Sequence, residues 1–101
     1  MVKLVVLYRK PADVAAFEKH YREVHTPLVR KMPGLKRLEV SHTTGSPAGE
    51  PKFYMIAELY FDHKDAMFAA LNSPEGKAAA KDVMGFAGEL LHMMFASVDG
   101  D

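Results

Sequence analysis

The side chains able to do chemistry in this chain are of few kinds. The 101 residues include five histidines and four tyrosines but no cysteine and no tryptophan. Thiolate catalysis, disulfides and cysteine-based metal sites are therefore excluded. Proton transfer by imidazole, carboxylate or phenol groups remains, together with hydrogen bonding to a ligand.

His25 is the strongest candidate for a proton-transfer group. It lies beside the apolar stripe of a predicted helix, just before Pro27. Because proline lacks an N–H and crowds the carbonyl of Glu23, the helix should kink or break there. A half-buried imidazole at such a bend can titrate near neutral pH and act as a general acid or base. The alternative, which the sequence alone favours, is that His25 donates to the freed carbonyl and stabilises the bend.

The histidine spacing does not predict a metal site. His20 and His25 are five residues apart, so on a regular helix they would point about 140° apart and would not bind one metal ion. The chain has no H-E-x-x-H or H-x-H pattern. His42 and His92 fall on predicted strands, where His92 should be at least partly buried. His63 is predicted to be a solvated residue in the first turn of a helix.

Glu58 and the tyrosines are further candidates for binding a ligand. Glu58 has Ile56 and Tyr60 on its own strand face, so partial desolvation would make it a base or a proton-sharing partner. The preferred alternative is an ion pair with a lysine or arginine across the sheet or a dimer. The tyrosines either line a cavity or belong to the core, and core tyrosines are the commoner case: Tyr8, Tyr21, Tyr54 and Tyr60.

Two helical regions and four strands must position these groups. Apolar residues recur at helical spacing after Asp13, a candidate N-cap: Val14, Phe17, Tyr21, Val24 and Leu28. A second helical region begins at Asp62, restarts at Ser73-Pro74 and ends at Gly85 and Gly88. Strands are predicted where β-branched and aromatic residues cluster: Val2–Tyr8, Leu35–Thr44, Phe53–Phe61 and Leu90–Val98.

The order β-α-β-β-α-β predicts an α+β, ferredoxin-like fold, with an antiparallel sheet and two helices on one face. The length predicts a single domain over residues 1–101. The first, third and fourth strands are apolar on both faces, yet two helices can cover only one face. An exposed apolar face of that size exceeds what monomers usually show. We therefore expect a two-fold homodimer that packs sheet to sheet.

Charge and hydropathy exclude several other partners. Lysine plus arginine and aspartate plus glutamate each number 13, so the formal net charge is zero and a nucleic-acid partner is not expected. The apolar stretch Leu4–Tyr8 is too short for a signal peptide or a membrane span. We expect a cytoplasmic protein with no membrane partner.

Several of these patterns together resemble the EthD-like family (ethyl tert-butyl ether degradation type) of the dimeric α+β barrel superfamily. The resemblance rests on Phe17-x-x-x-Tyr21-x-x-x-His25-x-Pro27-Leu28, on Pro33-Gly34-Leu35 before the second strand, and on Ser73-Pro74-Glu75-Gly76. It implies a small dimer whose sheets form a barrel, and it places the motif tyrosine and histidine at Tyr21 and His25. The superfamily includes cofactor-independent monooxygenases and isomerases, and EthD-like proteins are commonly labelled oxidoreductases.

Residues and resemblance together predict an oxidoreductase-type or proton-transfer enzyme. It would act on a small apolar or aromatic organic compound, in degradation or tailoring, with no bound cofactor and no metal. His25 and Tyr21 would be catalytic. The substrate-binding candidates are Tyr8, His42, Tyr54, Glu58, Tyr60 and His92. Two alternatives are a non-catalytic carrier of small hydrophobic ligands and a haem-handling protein with a histidine as axial ligand.

Overall fold

A computed structural model describes residues 1–99 of the chain. The strands are Val2–Tyr8 (β1), Arg37–His42 (β2), Met55–Phe61 (β3) and Leu91–Ser97 (β4). The helices are Val14–His20 (α1), Thr26–Arg30 (α2), Lys64–Asn72 (α3) and Pro74–Ala87 (α4), with a π-helical turn at Tyr21–His25 between α1 and α2.

The four strands form one sheet in the order β2-β3-β1-β4, and every neighbouring pair is antiparallel. This order confirms the predicted α+β, ferredoxin-like fold. The predicted strands have the right positions, but β2 is two residues shorter at each end, β4 is one residue shorter at each end, and β3 begins two residues later than predicted. Within residues 1–99, no helix is long and apolar enough to cross a membrane.

The core lies between the helices and one face of the sheet. Alternate residues of β1 and β3 point to this face and pair across the sheet, as Leu4 does with Leu59 and Val6 with Ala57. All four are buried, as the period of two in a half-covered strand requires. The largest fully buried side chains are Tyr8, Met55, Phe61 and Met67.

The opposite face of the sheet, here called the outer face, lacks a helix in the part of the chain that the structure describes. Four of its residues are apolar, with Val5 paired to Met94 and Leu7 paired to Ile56, and an ion pair between Lys3 and Glu58 lies beside them. Met94 is exposed, and the other three are partly buried. The helices therefore cover only one of the two apolar faces that the sequence predicts.

The helical path is not broken at Pro27, but its hydrogen bonding changes just before it, where the sequence predicts a kink or break. Thr26 N–H donates to the carbonyl of Tyr21, five residues back, which defines the π-helical turn. Pro27 then lies in the first turn of α2. A missing N–H costs little at a helix start, so the helical path continues to Arg30.

The π-helical turn also changes which residues face the core. The buried positions along this segment are Phe17, Tyr21, His25 and Val29, whereas Val24 is exposed. The prediction that Val24 belongs to the apolar stripe is wrong, because the extra residue in the turn rotates the helix. His25 takes the inward position instead.

The helix starts follow the predicted capping logic with one exception. Asp13 caps α1 by accepting from Ala16 N–H, and Ser73 caps α4 by accepting from Gly76 N–H, both at 3.0 Å. The predicted cap at Asp62 is wrong, since His63 Nδ1 accepts from Ala66 N–H at 3.2 Å and caps α3.

Candidate functional site

The carboxylate of Asp82 on α4 lies between two imidazoles. His25 Nδ1 lies 3.0 Å from Asp82 Oδ2, and His20 Nε2 lies 2.9 Å from Oδ1 and 3.2 Å from Oδ2. The ring of Phe86 packs against both imidazoles, with centroid distances of 4.3 Å to His20 and 5.4 Å to His25. Asp82 of α4 thus hydrogen-bonds to two histidines, His20 at the end of α1 and His25 at the end of the π-helical turn.

The π-helical turn makes this arrangement possible. On a regular helix His20 and His25 would point in different directions. The i→i+5 hydrogen bonding widens the turn, so residues five apart come onto the same side. The prediction that these two histidines diverge is therefore wrong, although within residues 1–99 no cluster of three or more histidine, aspartate or glutamate residues is arranged to bind a metal ion.

His25 is held as a neutral imidazole with one nitrogen free to accept a proton. A carboxylate only accepts hydrogen bonds, so Nδ1 carries the hydrogen and Nε2 keeps its lone pair. Burial lowers the pKa of His25, while the bond to Asp82 acts in the opposite direction. Among the described residues, His25 Nε2 has no hydrogen-bond partner. It does not belong to the fully buried polar side-chain atoms, because each of those has a partner. The alternative role for His25, donation to a freed backbone carbonyl, is wrong.

The ring of His25 lines a cavity of about 80 Å³ between the sheet and the helices. Most of the wall is aliphatic, from Leu4, Val6, Leu59, Val29, Ala79 and Val83. The polar residues in the wall are His25, Tyr8 and Tyr21. The cavity therefore combines an apolar interior with a few polar groups, as binding sites for small organic molecules do.

Tyr8 and Tyr21 are hydrogen-bond donors in this cavity. Their rings meet edge to face with centroids 5.8 Å apart, and Tyr21 lies 5.4 Å from the His25 ring. Burial raises the pKa of Tyr8 far above its usual value and that of Tyr21 to about 12. Both phenols therefore keep their protons at neutral pH. The structure brings together three residues that the sequence singled out, one from β1 and two from the π-helical turn.

Two other predicted residues form a separate cluster around Glu18. His42 Nε2 lies 2.9 Å from Glu18 Oε2, and the Tyr54 hydroxyl donates to the same oxygen. Burial alone would raise the pKa of Glu18, but these two bonds lower it. The bond to Glu18 raises the pKa of Tyr54 to about 12. This cluster ties the segment before β3 to α1 and does not line the cavity.

Glu58 and Tyr60 lie on the outer face of the sheet. Lys3 Nζ is 2.6 Å from Glu58 Oε2, so the carboxylate makes the ion pair that the sequence offered as its alternative role. The Arg37 guanidinium lies 4.4 Å from the centre of the Tyr60 ring. Neither residue faces the cavity.

His92 also lies on the outer face, within 2.8 Å of the Arg9 guanidinium. In the single chain it is exposed and not partly buried, because β4 is an edge strand and the described helices leave this face open. Its ring rests against Phe53 at 5.4 Å.

Asp82 is the residue of the candidate site that sequence reasoning missed. It lies within a helical stretch, Lys77–Val83, that looks like an ordinary solvated helix. A weak signal exists, since Asp82 directly precedes Val83 and follows Ala79 by three positions, both on the buried side of α4. An acid at the edge of a buried stripe marks a candidate partner for a buried imidazole.

Comparisons with known proteins identify relatives over nearly the whole chain. The family model for the EthD domain matches residues 9–89. An uncharacterized 11.0 kDa protein in the thcB-thcC intergenic region of Rhodococcus erythropolis is 39% identical over 95 residues, which are 94% of this chain and 92% of the relative. The crystal structure of an ethyl tert-butyl ether degradation (EthD) family protein from Bacillus halodurans is 47% identical, with a TM-score of 0.93, and the match covers 97% of this chain and 98% of that chain.

Two more distant structures share the fold. SnoaB, a cofactor-independent oxygenase from Streptomyces nogalater, has a TM-score of 0.73 at 15% identity, over 99% of this chain and 94% of that one. A dimeric ferredoxin-like protein of unknown function from Thermobifida fusca has a TM-score of 0.71 at 15% identity, over 96% and 90% of the two chains. These two similarities concern the architecture alone. The family match, with the close relative from Bacillus halodurans, identifies this chain as a member of the EthD domain family.

Proposed function

We propose that this protein is a proton-transfer enzyme for a small, mostly apolar organic compound, with His25 as the general base. The observation that carries the proposal is the His25 side chain itself. Asp82 binds its Nδ1, while the ring lines an apolar cavity with Nε2 unpartnered among the described residues. A neutral, oriented imidazole facing an apolar space is suited to accept a proton from a bound molecule.

The chemistry requires a substrate with an acidic C–H next to a group that can hold negative charge. Nε2 takes the proton, and the electron pair of the broken bond stays on the substrate as an enolate or phenolate. Tyr8 and Tyr21 line the same cavity as His25, and their phenols stabilise the developing oxyanion by hydrogen bonding. Asp82 stabilises the imidazolium that forms.

Two fates of the carbanion fit this site. Return of the proton from His25 to a different carbon isomerises the substrate. Reaction of the carbanion with dioxygen forms a carbon–oxygen bond and a peroxide anion, which takes the proton back from His25 to give a hydroperoxide; dioxygen is the oxidant, and no protein-bound redox group is needed. The shared fold with a cofactor-independent oxygenase supports the second route by analogy.

Cavity size limits the substrate. A volume of about 80 Å³ is smaller than the ~150 Å³ of a cavity that admits benzene. Without movement of the walls the cavity therefore takes only an acyclic compound smaller than benzene, and a single-ring compound requires the walls to move on binding. Leu71 and Met93 line the cavity without being buried, so their side chains can yield.

A second copy of the chain completes the proposed enzyme. The outer face presents Val5, Leu7, Ile56 and Met94 without a covering helix in residues 1–99, and a similar fold from Thermobifida fusca is described as dimeric. We place the partner chain on this face. The cavity then lies on the other side of the sheet, one per chain.

The proposal is tested by hydrogen exchange of a bound compound. A thermal-shift screen of phenols, quinones, lactones, cyclic diketones and short ethers finds ligands, because binding to the folded state alone stabilises it by ~2.7 kcal/mol at 100 times the dissociation constant. Each hit is then incubated in D2O with the wild-type protein or His25→Ala. We expect deuterium to enter one position of the ligand with wild type and not with His25→Ala.

The control is His63→Asn, which replaces an exposed histidine by a residue that still caps α3. It should exchange the ligand as wild type does. Binding without exchange in any variant would contradict the proposal and favour a non-catalytic carrier. Equal exchange by wild type and His25→Ala would remove His25 from the reaction.

A further inference from the structure

The two imidazoles on Asp82 differ in their access to water. The side chain of His20 is 36% exposed, that of Asp82 17% and that of His25 7%. His20 borders two surface depressions, and His25 borders the inner cavity. The carboxylate therefore connects a solvent-side histidine to a cavity-side histidine.

Both imidazoles depend on the same negative charge. Asp82 Oδ2 lies 3.0 Å from His25 Nδ1 and 3.2 Å from His20 Nε2. One carboxylate neutralises one imidazolium, so a proton on His20 weakens the attraction of Asp82 for a proton on His25. Groups that interact this closely titrate as a unit and not one by one.

We infer that His20 is a positioning residue for the His25 base: through Asp82 the two histidines form one titrating unit, in which His20 sets the pH range where His25 is free to accept a proton. This inference rests on the role of His25 in the proposed function. It adds a residue that touches no substrate and acts only through the shared carboxylate. The π-helical turn supports this inference, because it brings His20 and His25 to the same side of the helix, where both contact Asp82.

The other groups near the pair do not offer an equivalent link. The titratable and charged groups that line the same cavity and depressions as the two imidazoles are Tyr8 from β1, Asp13 at the start of α1, Tyr21 from the π-helical turn, Lys81 and Asp82 from α4, and Glu89 after α4. Of these, Asp82 is the one that hydrogen-bonds to both rings. The positive charge of His20 lowers the pKa of His25, in addition to the larger effect of burial.

The test is an NMR titration of the imidazole nitrogens and needs no substrate. His20→Phe keeps an aromatic ring against Phe86 but removes the bond to Asp82 and the charge. We expect the titration midpoint of His25 to rise by about 1 pH unit in this variant, and its curve to change from two steps to one. His20→Gln keeps a donor for Asp82 without a titrating group, so it should show the same rise while Nδ1 stays protonated.

A matched control is His42→Phe, which removes the histidine–carboxylate pair of the same length at Glu18. It should leave the His25 midpoint unchanged. The inference is overturned if His20→Phe moves the midpoint no further than His42→Phe does, or if His20→Gln titrates like wild type. If the wild-type protein exchanges no ligand hydrogen, the proposed function is overturned but this inference is not. The NMR titration measures the coupling of the two histidines without a substrate.

A second readout links the pair to catalysis once an exchanging ligand is found. The acid limb of the exchange rate should move to higher pH in His20→Phe by the same amount as the His25 midpoint, while the rate at high pH is retained. A fall in rate at all pH values would mean that His20 acts by holding the structure and would overturn the inference.

Discussion

A buried neutral imidazole makes the stability of a protein depend on pH. The folded-state pKa of His25 is lowered, chiefly by burial, so the unfolded chain binds a proton at this residue more readily than the folded chain does. The free energy of unfolding therefore falls as pH drops below the unfolded value of about 6.5, and this loss stops below the folded pKa. One such proton contributes at most about 1.4 kcal/mol per pH unit.

This dependence can be measured by urea unfolding at about pH 7.5 and about pH 5, where an unperturbed histidine is neutral and then charged. The wild-type protein should lose stability between the two, and His25→Phe should lose less because it has no imidazole to protonate on unfolding. His42, His63 and His92, none of which contacts Asp82, are the same in both proteins and act as the internal control. An equal loss in the two proteins would mean that His25 is not held neutral in the folded state.

The sequence allowed part of the site to be predicted and not the rest. The position before Pro27 pointed to His25, the family resemblance pointed to Tyr21, and Tyr8 was a candidate only as one of four tyrosines that could line a cavity. Asp82 lies 57 positions from His25 in the chain, so nothing in the local pattern could join them. The roles proposed for Glu58, Tyr60 and His92 depended on which sheet face meets the helices, and an apolar pattern on both faces cannot decide that.

At the scale of elements, the close approach of α3 and α4 requires a glycine at position 76. A Cβ on Gly76 would lie 2.8 Å from the carbonyl oxygen of Leu71 and closer still to that of Ala70. Backbone atoms cannot yield as a flexible side chain can. The two helices can therefore approach this closely only without a side chain at position 76.

Gly76→Ala should destabilise the protein by about 1–3 kcal/mol, as forced overpacking does. Gly85→Ala is the matched control, since Gly85 lies inside α4 and an added Cβ there meets nothing within 4 Å. Alanine is the better helix former, so this change should stabilise by about 0.5–1 kcal/mol. Urea midpoints of the two variants give the comparison, and similar shifts of the same sign would contradict it.

Most of the helices and strands could be predicted from the sequence. The exception, the π-helical turn, has a geometric cause. Caps at Asp13 and Ser73 and the four strands follow from local residue chemistry. A π-helical turn has no residue signature of its own, because it depends on which side chains the rest of the fold accepts in its core. Pro27 suggested a break, yet it lies where a proline is tolerated.

At the scale of the whole molecule, the outer face of the sheet should hold a second chain. In a two-fold dimer a charge placed on that face appears twice, on both sides of the interface. Met94→Glu puts a carboxylate on the face at a residue that is 47% exposed in the single chain. Met84→Glu makes the same change on α4, at a residue that is 58% exposed.

Light scattering after gel filtration measures the outcome. Wild type and Met84→Glu should have a mass near twice 11.2 kDa, and Met94→Glu should approach the mass of one chain. A monomeric wild type would mean that no dimer forms. A loss of the dimer in Met84→Glu and not in Met94→Glu would place the interface away from the outer face.

The π-helical turn acts as a phase shift of one residue between two halves of a single helix. Each residue of a regular α-helix advances by about 100°. Deleting the exposed Val24 would therefore rotate the half that carries Phe17 by that angle relative to the half that carries Val29. Only one half could then keep its apolar side inward, and the two imidazoles would no longer reach one carboxylate. The packing of the core and the geometry of the site thus both depend on this one extra residue. Deleting it would change both.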